Sequence, residues 1–355
     1  MSQTGFICLY DYNWNPLGKW TQHVAKSWSL KRKAFEQDEF EAQCQGFENS
    51  KNACFVGLHT KTGQLKYAAF CGIPSTKNGI TSITGVDCRN VFNQEAWVDY
   101  TKRETGGQYK IRTVSALFEY LMDTVLEENG INVQVDYELD LDDLDFLIGE
   151  WEEEYITRTA QVMNIWTQLM AACHCYNVFI ETSFEVTNEN KYKLIFTVKR
   201  TINSRPIKLS DYDVVMKLSQ NVVNRVIYAA ESAPTNRGFY YLNNDNTITA
   251  TLVPGRACFP PVTEMILGET KEEAQAEAYQ TLAKNRYKDK VTINLKTKLG
   301  STLEDLDFTY FGVLKGYNPA DQSSEKTLPV CQISEDHEGN KSIVFGRLSD
   351  YWFMD

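Results

Sequence analysis

No stretch of the chain approaches the ~18 consecutive apolar residues that a membrane-crossing helix needs, so no membrane span is expected. The first residues, MSQTGFICLYDYNWN, lack a basic segment followed by an apolar one. No secretory signal is therefore expected, and the chain is expected to be made and folded in a cytoplasm. There is no CxxC pair, and the nine cysteines (Cys8, Cys44, Cys54, Cys71, Cys88, Cys173, Cys175, Cys258, Cys331) stand at long, uneven spacings. An odd, scattered set excludes a disulfide framework and reads as small buried hydrophobes. Histidine is scarce: His23, His59, His174 and His337 are each isolated, and no GxSxG elbow accompanies them, so no hydrolase triad is supported. A GxGxxG after a strand, a P-loop and an HExxH are all missing, which removes the usual nucleotide and zinc-hydrolase signatures. Clustered Lys and Arg are missing too, so specific nucleic-acid binding is not expected. Cys173-His174-Cys175 is the one tight Cys/His group. No second ligand pair of zinc-site spacing occurs, so it reads as a helix end with Cys173 facing in and His174 facing out. The residues therefore nominate no catalytic, cofactor-binding or metal-binding set.

What is present is patterned sequence. A length of 355 residues predicts two or three domains. Residues 1–100 hold short β-prone runs (Phe6–Tyr12, Phe40–Gln45, Cys54–Leu58, Leu65–Ile73, Ile80–Asp87) between turn clusters, with Lys61-Thr62-Gly63 as a hairpin turn. Many short strands with polar turns predict a sandwich or small barrel. Residues 113–130 predict a helix: Val114, Leu117, Phe118, Leu121, Met122, Val125 and Leu126 share one face, Thr113 is the N-cap and Gly130 the left-handed stop. A strand, Asn132–Tyr137, should follow. Thr159–Tyr176 carries Val162, Ile165, Trp166, Leu169, Cys173 and Tyr176 at helical steps, then switches at Asn177 to the alternation of a strand. With Lys191–Lys199 this makes a helix lying on a hairpin.

From Ile207 the pattern is again β. Leu209–Lys217 and Asn221–Ala230 read as strands, and Tyr240–Leu242 and Thr247–Thr251 flank the turn Asn243-Asn244-Asp245-Asn246. Thr270–Arg286 opens with a capping box, Thr270 to Glu273, and presents Ala274, Ala278, Tyr279, Leu282 and Ala283 on its inner face. Strands Lys290–Thr297, Phe308–Leu314, Val330–Ile333 and Lys341–Tyr351 finish the chain. The fold class is α+β: two small β-barrel-like domains, 1–110 and 207–355 (the latter with a helix at 270–287), bracket an inserted α+β domain at 111–206.

Charge is concentrated. Ten acidic residues and no Lys or Arg lie between Asp136 and Glu154, so this strip carries nearly all of the net charge of −11. Its apolar content is too high for disorder. Asp140-x-Asp142 and Asp143-x-Asp145 look like half a calcium loop, but the sixth position is Asp145 and the twelfth is Trp151, so an EF-hand fails. Glu152-Glu153-Glu154 would serve glycosidase chemistry only with a partner carboxylate and a cleft. The strip reads as a solvated or partner-facing edge. Seven Trp and nineteen Tyr serve as core aromatics or interface anchors.

The order of elements then becomes informative. Trp166-Thr-Gln-Leu169 leads into a strand. Leu209–Glu231 (LSDYDVVMKLSQNVVNRVIYAAE) contains Asn221-Val-Val-Asn224-Arg-Val-Ile-Tyr228, and a Tyr-rich hairpin follows. Thr270–Thr297 runs from an Ala-rich helix into Val291-Thr-Ile-Asn-Leu295. This order resembles the tail hub (baseplate hub) proteins of siphophages, whose N-terminal module also occurs in tail-associated lysins. The resemblance implies a homotrimer whose six barrels form a pseudo-sixfold ring that caps the tail tube. It implies as partners a distal tail or tail tube protein, a tape measure protein and receptor-binding or tip proteins, and a place in the virion. The chain stops at Asp355, where a lysin would continue, so no lytic domain is expected. An acidic strip lining the channel would keep passing DNA from sticking. The alternatives are another virion adaptor, such as a distal tail protein, or a glycan hydrolase using Asp142, Asp143 and Glu152.

Overall fold

The computed structural model describes residues 5–18, 24–45, 52–99, 111, 113–141, 144, 161–187, 192–217, 222–254, 256, 258, 261–295, 303–317 and 324–346. They form a mostly antiparallel α+β fold with few helices, divided into two compact units. Unit 1 comprises residues 1–200, 296–299 and 333–341; unit 2 comprises 201–295, 300–332 and 342–355.

Unit 1 begins with β1 (Phe6–Tyr10), β2 (Ala25–Lys33), β3 (Glu39–Gln45), β4 (Phe55–His59), β5 (Leu65–Cys71), β6 (Ser75–Lys77) and β7 (Ile80–Val86). They are ordered β1-β4-β5-β7-β3-β2, with β6 on β7. The alternation in β3 is strict: Phe40, Ala42 and Cys44 point in, while Glu39, Glu41 and Gln43 point out. The inward residues join Ile7, Leu9, Trp28, Leu30, Val56, Leu58 and Ile83 in one core. Strand β4 is buried on both faces, because Cys8, Tyr10, Trp14, Phe55 and Ala68 form a second cluster on the opposite side. The two edges of this strand order meet at one antiparallel bridge, Phe6 to Val24, with the Ala25 N–H donating to the Gly5 carbonyl at 3.0 Å. Among the described residues no continuous ladder joins them. Strand β2 (AKSWSLKRK) has little strand signal in its sequence: six of its nine residues are Lys, Arg or Ser, and only Trp28 and Leu30 are buried.

Next come β8 (Glu95–Val98), α1 (Val114–Glu119), a π-helical turn (Tyr120–Thr124) and α2 (Val125–Glu128). Thr113 caps this helical stretch by accepting the Ala116 N–H, and Gly130 lies at φ 65°, as the sequence predicts. The predicted strand at Asn132–Tyr137 is absent. Gln134 adopts φ 57°, which breaks an extended run. The strand instead begins where that run ends, as β9 (Tyr137–Asp140). The predicted helix start at Thr159 is also corrected. Residues Gln161–Asn164 form β10, paired with β8, and α3 runs Ile165–Tyr176. Asn164 is the N-cap, accepting the Thr167 N–H. Asn177 ends α3 in the left-handed conformation, φ 52°. Strands β11 (Val178–Val186) and β12 (Tyr192–Arg200) then pair antiparallel through nine residues each, and β9 adds parallel to β12. Phe184 and Tyr192 from this hairpin pack on the Tyr10/Trp14 cluster.

In unit 2, β13 (Asn203–Lys208) and β14 (Asp213–Lys217) are followed by β15 (Arg225–Ala230), β16 (Gly238–Leu242), β17 (Ile248–Thr249), β18 (Thr263–Gly268), α4 (Lys271–Lys284), β19 (Lys290–Leu295), β20 (Tyr310–Lys315), β21 (Glu325–Asp336) and β22 (Lys341–Gly346). The strand predicted at Leu209–Lys217 opens instead with a 3-10 turn at Leu209–Asp211, and only Asp213–Lys217 is strand. Six of these strands are ordered β13-β20-β21-β22-β19-β14, as part of a 13-stranded sheet. The outer two of the six are joined directly by the short link after Lys208, which reaches at most about 18 Å. Six flat strands would be about 24 Å wide, so the sheet must curl. The other sheet runs β17-β16-β15-β18 and packs α4 against Val226, Tyr228, Leu242 and Ile266 through Ala274, Ala278 and Leu282. The capping box of Thr270 and Glu273 is complete.

Candidate functional site

The densest polar group in unit 1 is built around Arg89, 2% exposed. The acceptors converge from three places in the sequence, 33–38, 87 and 180. Nε donates to Asp87 Oδ2 (2.8 Å), Nη1 to the carbonyls of Lys33 and Ile180 (3.1 Å each), and Nη2 to the Glu36 carbonyl (2.9 Å) and Asp38 Oδ1 (2.8 Å). Its plane lies over the Trp166 ring at 5.6 Å. Burial pushes the Asp38 carboxyl up to about 7, although Arg89 pulls it the other way. The guanidinium spends its donors on structure and leaves none aimed at a ligand. Sequence reasoning missed it, since Asp87-Cys88-Arg89 carries no motif.

His59, 3% exposed, is the second buried polar group. Its Nδ1 lies 3.0 Å from the Gly63 carbonyl, which can only accept, so Nδ1 carries the proton. Nε2 then accepts the Tyr10 hydroxyl at 2.7 Å. Burial holds this imidazole below its ordinary range. Beside it, a cleft of about 1430 Å³ opens in unit 1. Trp14, Phe55 and Tyr192 line it, and the exposed carboxylates of Glu119, Asp123, Asp136 and Glu138 surround it, with Lys193 paired to Glu138.

Two exposed apolar features stand apart from these. On β10 and β8, Val162 and Trp97 are cross-strand partners, 62% and 56% exposed. Val162 therefore points outward from a strand, where helical spacing had placed it in the core. In unit 2, the face of the four-stranded sheet opposite α4 carries Ile227 in register with Phe239 on one side and Met265 on the other. Phe239 and Tyr241 stack at 6.4 Å, and Arg237 lies 5.8 Å over Phe239. Met265 and Leu267 are 50% and 44% exposed. Arg225, in register with Tyr241, leaves its Nε without a hydrogen-bond partner.

The sites weighed from sequence resolve as follows. His174 faces in, contrary to expectation: it is buried and stacks on Phe35 at 4.3 Å. Cys173 is buried as predicted, and eight cysteines are free thiols. Asp142, Asp143, Asp145 and Glu150 to Glu154 of the acidic strip lie outside the described residues. Asp136 and Glu138, at its start, are on the cleft. Among the described residues, no group of three or more His, Cys, Asp or Glu is placed to hold a metal. Asn224, from the segment that carried the resemblance, is buried and holds the Val262 N–H on its Oδ1 at 3.1 Å, which locks β15 to the start of β18.

No protein-family model matches the chain, and no curated protein matches it. Solved structures do match, end to end. The prophage MuSo2 43 kDa tail protein from Shewanella oneidensis aligns over 99% of this chain and 100% of its own, at 10% identity and TM-score 0.53. The tail protein from Neisseria meningitidis MC58 aligns over 99% and 98%, at 10% identity and TM-score 0.51. Prophage tail protein gp18 from Listeria monocytogenes EGD-e aligns over 97% and 94%, at 10% identity and TM-score 0.51. From one end to the other, this chain has the fold of phage tail proteins.

Proposed function

We propose that the chain is a structural hub protein of a phage tail tip, without catalytic activity, and that it assembles as a homotrimer. The observation that carries this is the end-to-end match to three prophage tail proteins, each covered almost completely. The strand order supports it further. In each unit six strands form a run whose first and last members come together, through the Phe6–Val24 bridge in one and the short link from Lys208 to Asp213 in the other. We read these two strand sets as the barrel-like lobes, and propose one for the domain 1–110 and one for the domain 207–355. Three copies then present six lobes around an axis, matching a sixfold tail tube or distal tail protein on one side. A tape measure protein and receptor-binding or tip proteins would be the other neighbours, and the virion tail tip the location.

The purified chain should sediment at about 122 kDa, three times its 40.7 kDa mass, and give three-fold ring images by electron microscopy. A monomer at tens of micromolar that is also unable to join a tail tube or distal tail protein would overturn the reading.

A further inference from the structure

The outer face of the four-stranded sheet in unit 2 carries two arginines and an apolar row whose β18 members stand half in solvent. Its strand positions are Arg225, Ile227 and Ala229 on β15, Phe239 and Tyr241 on β16, and Thr263, Met265 and Leu267 on β18, with Arg237 at the start of β16. No carboxylate stands at these positions, in a chain whose net charge is −11. A sheet face normally hides its apolar rows; here Met265 and Leu267 stay half in solvent, and Arg237 lies over Phe239 of the Phe239–Tyr241 stack. Met, Tyr, Phe and Arg are the residue types that protein interfaces concentrate. Arg225 adds a second, half-buried guanidinium on the same face.

The same chain carries the complement. The unit 1 cleft offers four carboxylates, Glu119, Asp123, Asp136 and Glu138, against one lysine that is already paired with Glu138. Trp14, Phe55 and Tyr192 lie among its lining, so aromatic side chains sit beside the charge. Two different surfaces that fit each other make a heterologous contact, and such contacts close into rings when the rotation allows.

We propose that the Arg225/Arg237/Phe239/Met265 face of one copy docks on the acidic cleft of the next copy, so that one contact, repeated, closes the ring. This rests on the hub reading above, and it names the surfaces that reading leaves open. Opposite charge brings the copies together and sets register, while the apolar row supplies the dry centre.

The test uses the full chain in sedimentation equilibrium. Arg237 and Met265 are exposed, so Arg237→Glu and Met265→Asp should keep the wild-type circular dichroism spectrum. Each should raise the dissociation constant of the trimer at least tenfold, as should Asp123→Lys with Asp136→Lys. Combining Arg225→Glu and Arg237→Glu with Asp123→Arg and Asp136→Arg should restore at least part of the lost affinity. A wild-type trimer that all these variants leave intact sinks the surface assignment, gives the face to a different partner and spares the hub reading. Loss of the trimer without rescue by the charge swap also sinks the assignment. A wild type that stays at 40.7 kDa under every condition and joins no tail protein ends both.

Discussion

Arg89 shows how much a single side chain can decide. Two carboxylates and three carbonyls depend on one buried cation. Removing it alone, as in Arg89→Met, leaves Asp38 and Asp87 buried without their counter-ion, and should cost about 3–5 kcal/mol in urea unfolding. Replacing all three, with Asp38→Asn and Asp87→Asn added, should cost less, because no charge is stranded. His59 gives a pH signature of known sign. Its pKa is depressed in the fold, so below about 6.5 the unfolded chain takes up a proton that the folded chain refuses. Stability from this group is present above that pH and is lost as pH falls. Asp38 acts in the opposite direction: its raised carboxyl removes stability as pH climbs from about 4 to about 7. The His59 contribution is therefore read as the difference between wild type and His59→Gln across pH 5 to 8. The variant should be weaker by about 1–3 kcal/mol at pH 8, since the Tyr10 hydroxyl loses its acceptor, and the gap should narrow towards pH 5. Neither residue was visible as important in the sequence. Their partners lie between 2 and 91 positions away, most of them 49 or more, and nothing local marks a pairing of that kind.

At the scale of elements, local chemistry was legible and tertiary choice was not. The capping box on α4, the Thr113 cap and Gly130 stop around α1 and α2, and the turn at Asn243–Asn246 are all short-range devices, and each is found where the sequence puts it. Thr270→Ala should cost about 1 kcal/mol in thermal unfolding of unit 2. The start of α3 was misread because Val162 sits at helical spacing from Ile165, yet β8 competes for that backbone and wins. The strand at β9 was shifted for a similar reason: pairing with Leu194 of β12 selects Tyr137 onward, and the Tyr137 hydroxyl is pinned to the Met122 carbonyl at 2.6 Å. The boundary between α3 and β11 turns on Asn177 at φ 52°. Asn177→Gly should be nearly neutral, whereas Asn177→Val should lose about 1–2 kcal/mol, because a β-branched residue resists the left-handed region. Gly238 is another fixed point. A Cβ there would lie 2.2 Å from the Tyr228 ring, which must lie flat to stack on Tyr240 at 5.2 Å. Gly238→Ala should therefore disturb the same sheet that carries the proposed docking face.

For the whole molecule, the order of strand-rich and helical segments was the readable signal, and the fold match over nearly the full length agrees with it. The pairing of sheet edges could not be read, since it depends on which distant strands meet. The trimer mass of about 122 kDa is the prediction at this scale. Arg89 has a further consequence, one of timing. Its Nη1 needs the carbonyl of Ile180, and the outer side of β1 and β4 needs Phe184 and Tyr192. While the ribosome is still making the helical middle, the first seven strands are already outside the exit tunnel with one guanidinium donor unanswered and an aromatic cluster short of Phe184 and Tyr192. The nascent chain must hold that half-made lobe in waiting, open to chaperones, until β11 and β12 emerge. A truncation before Val178 should accordingly be recovered bound to a holdase or insoluble, and one that ends after Arg200 should not.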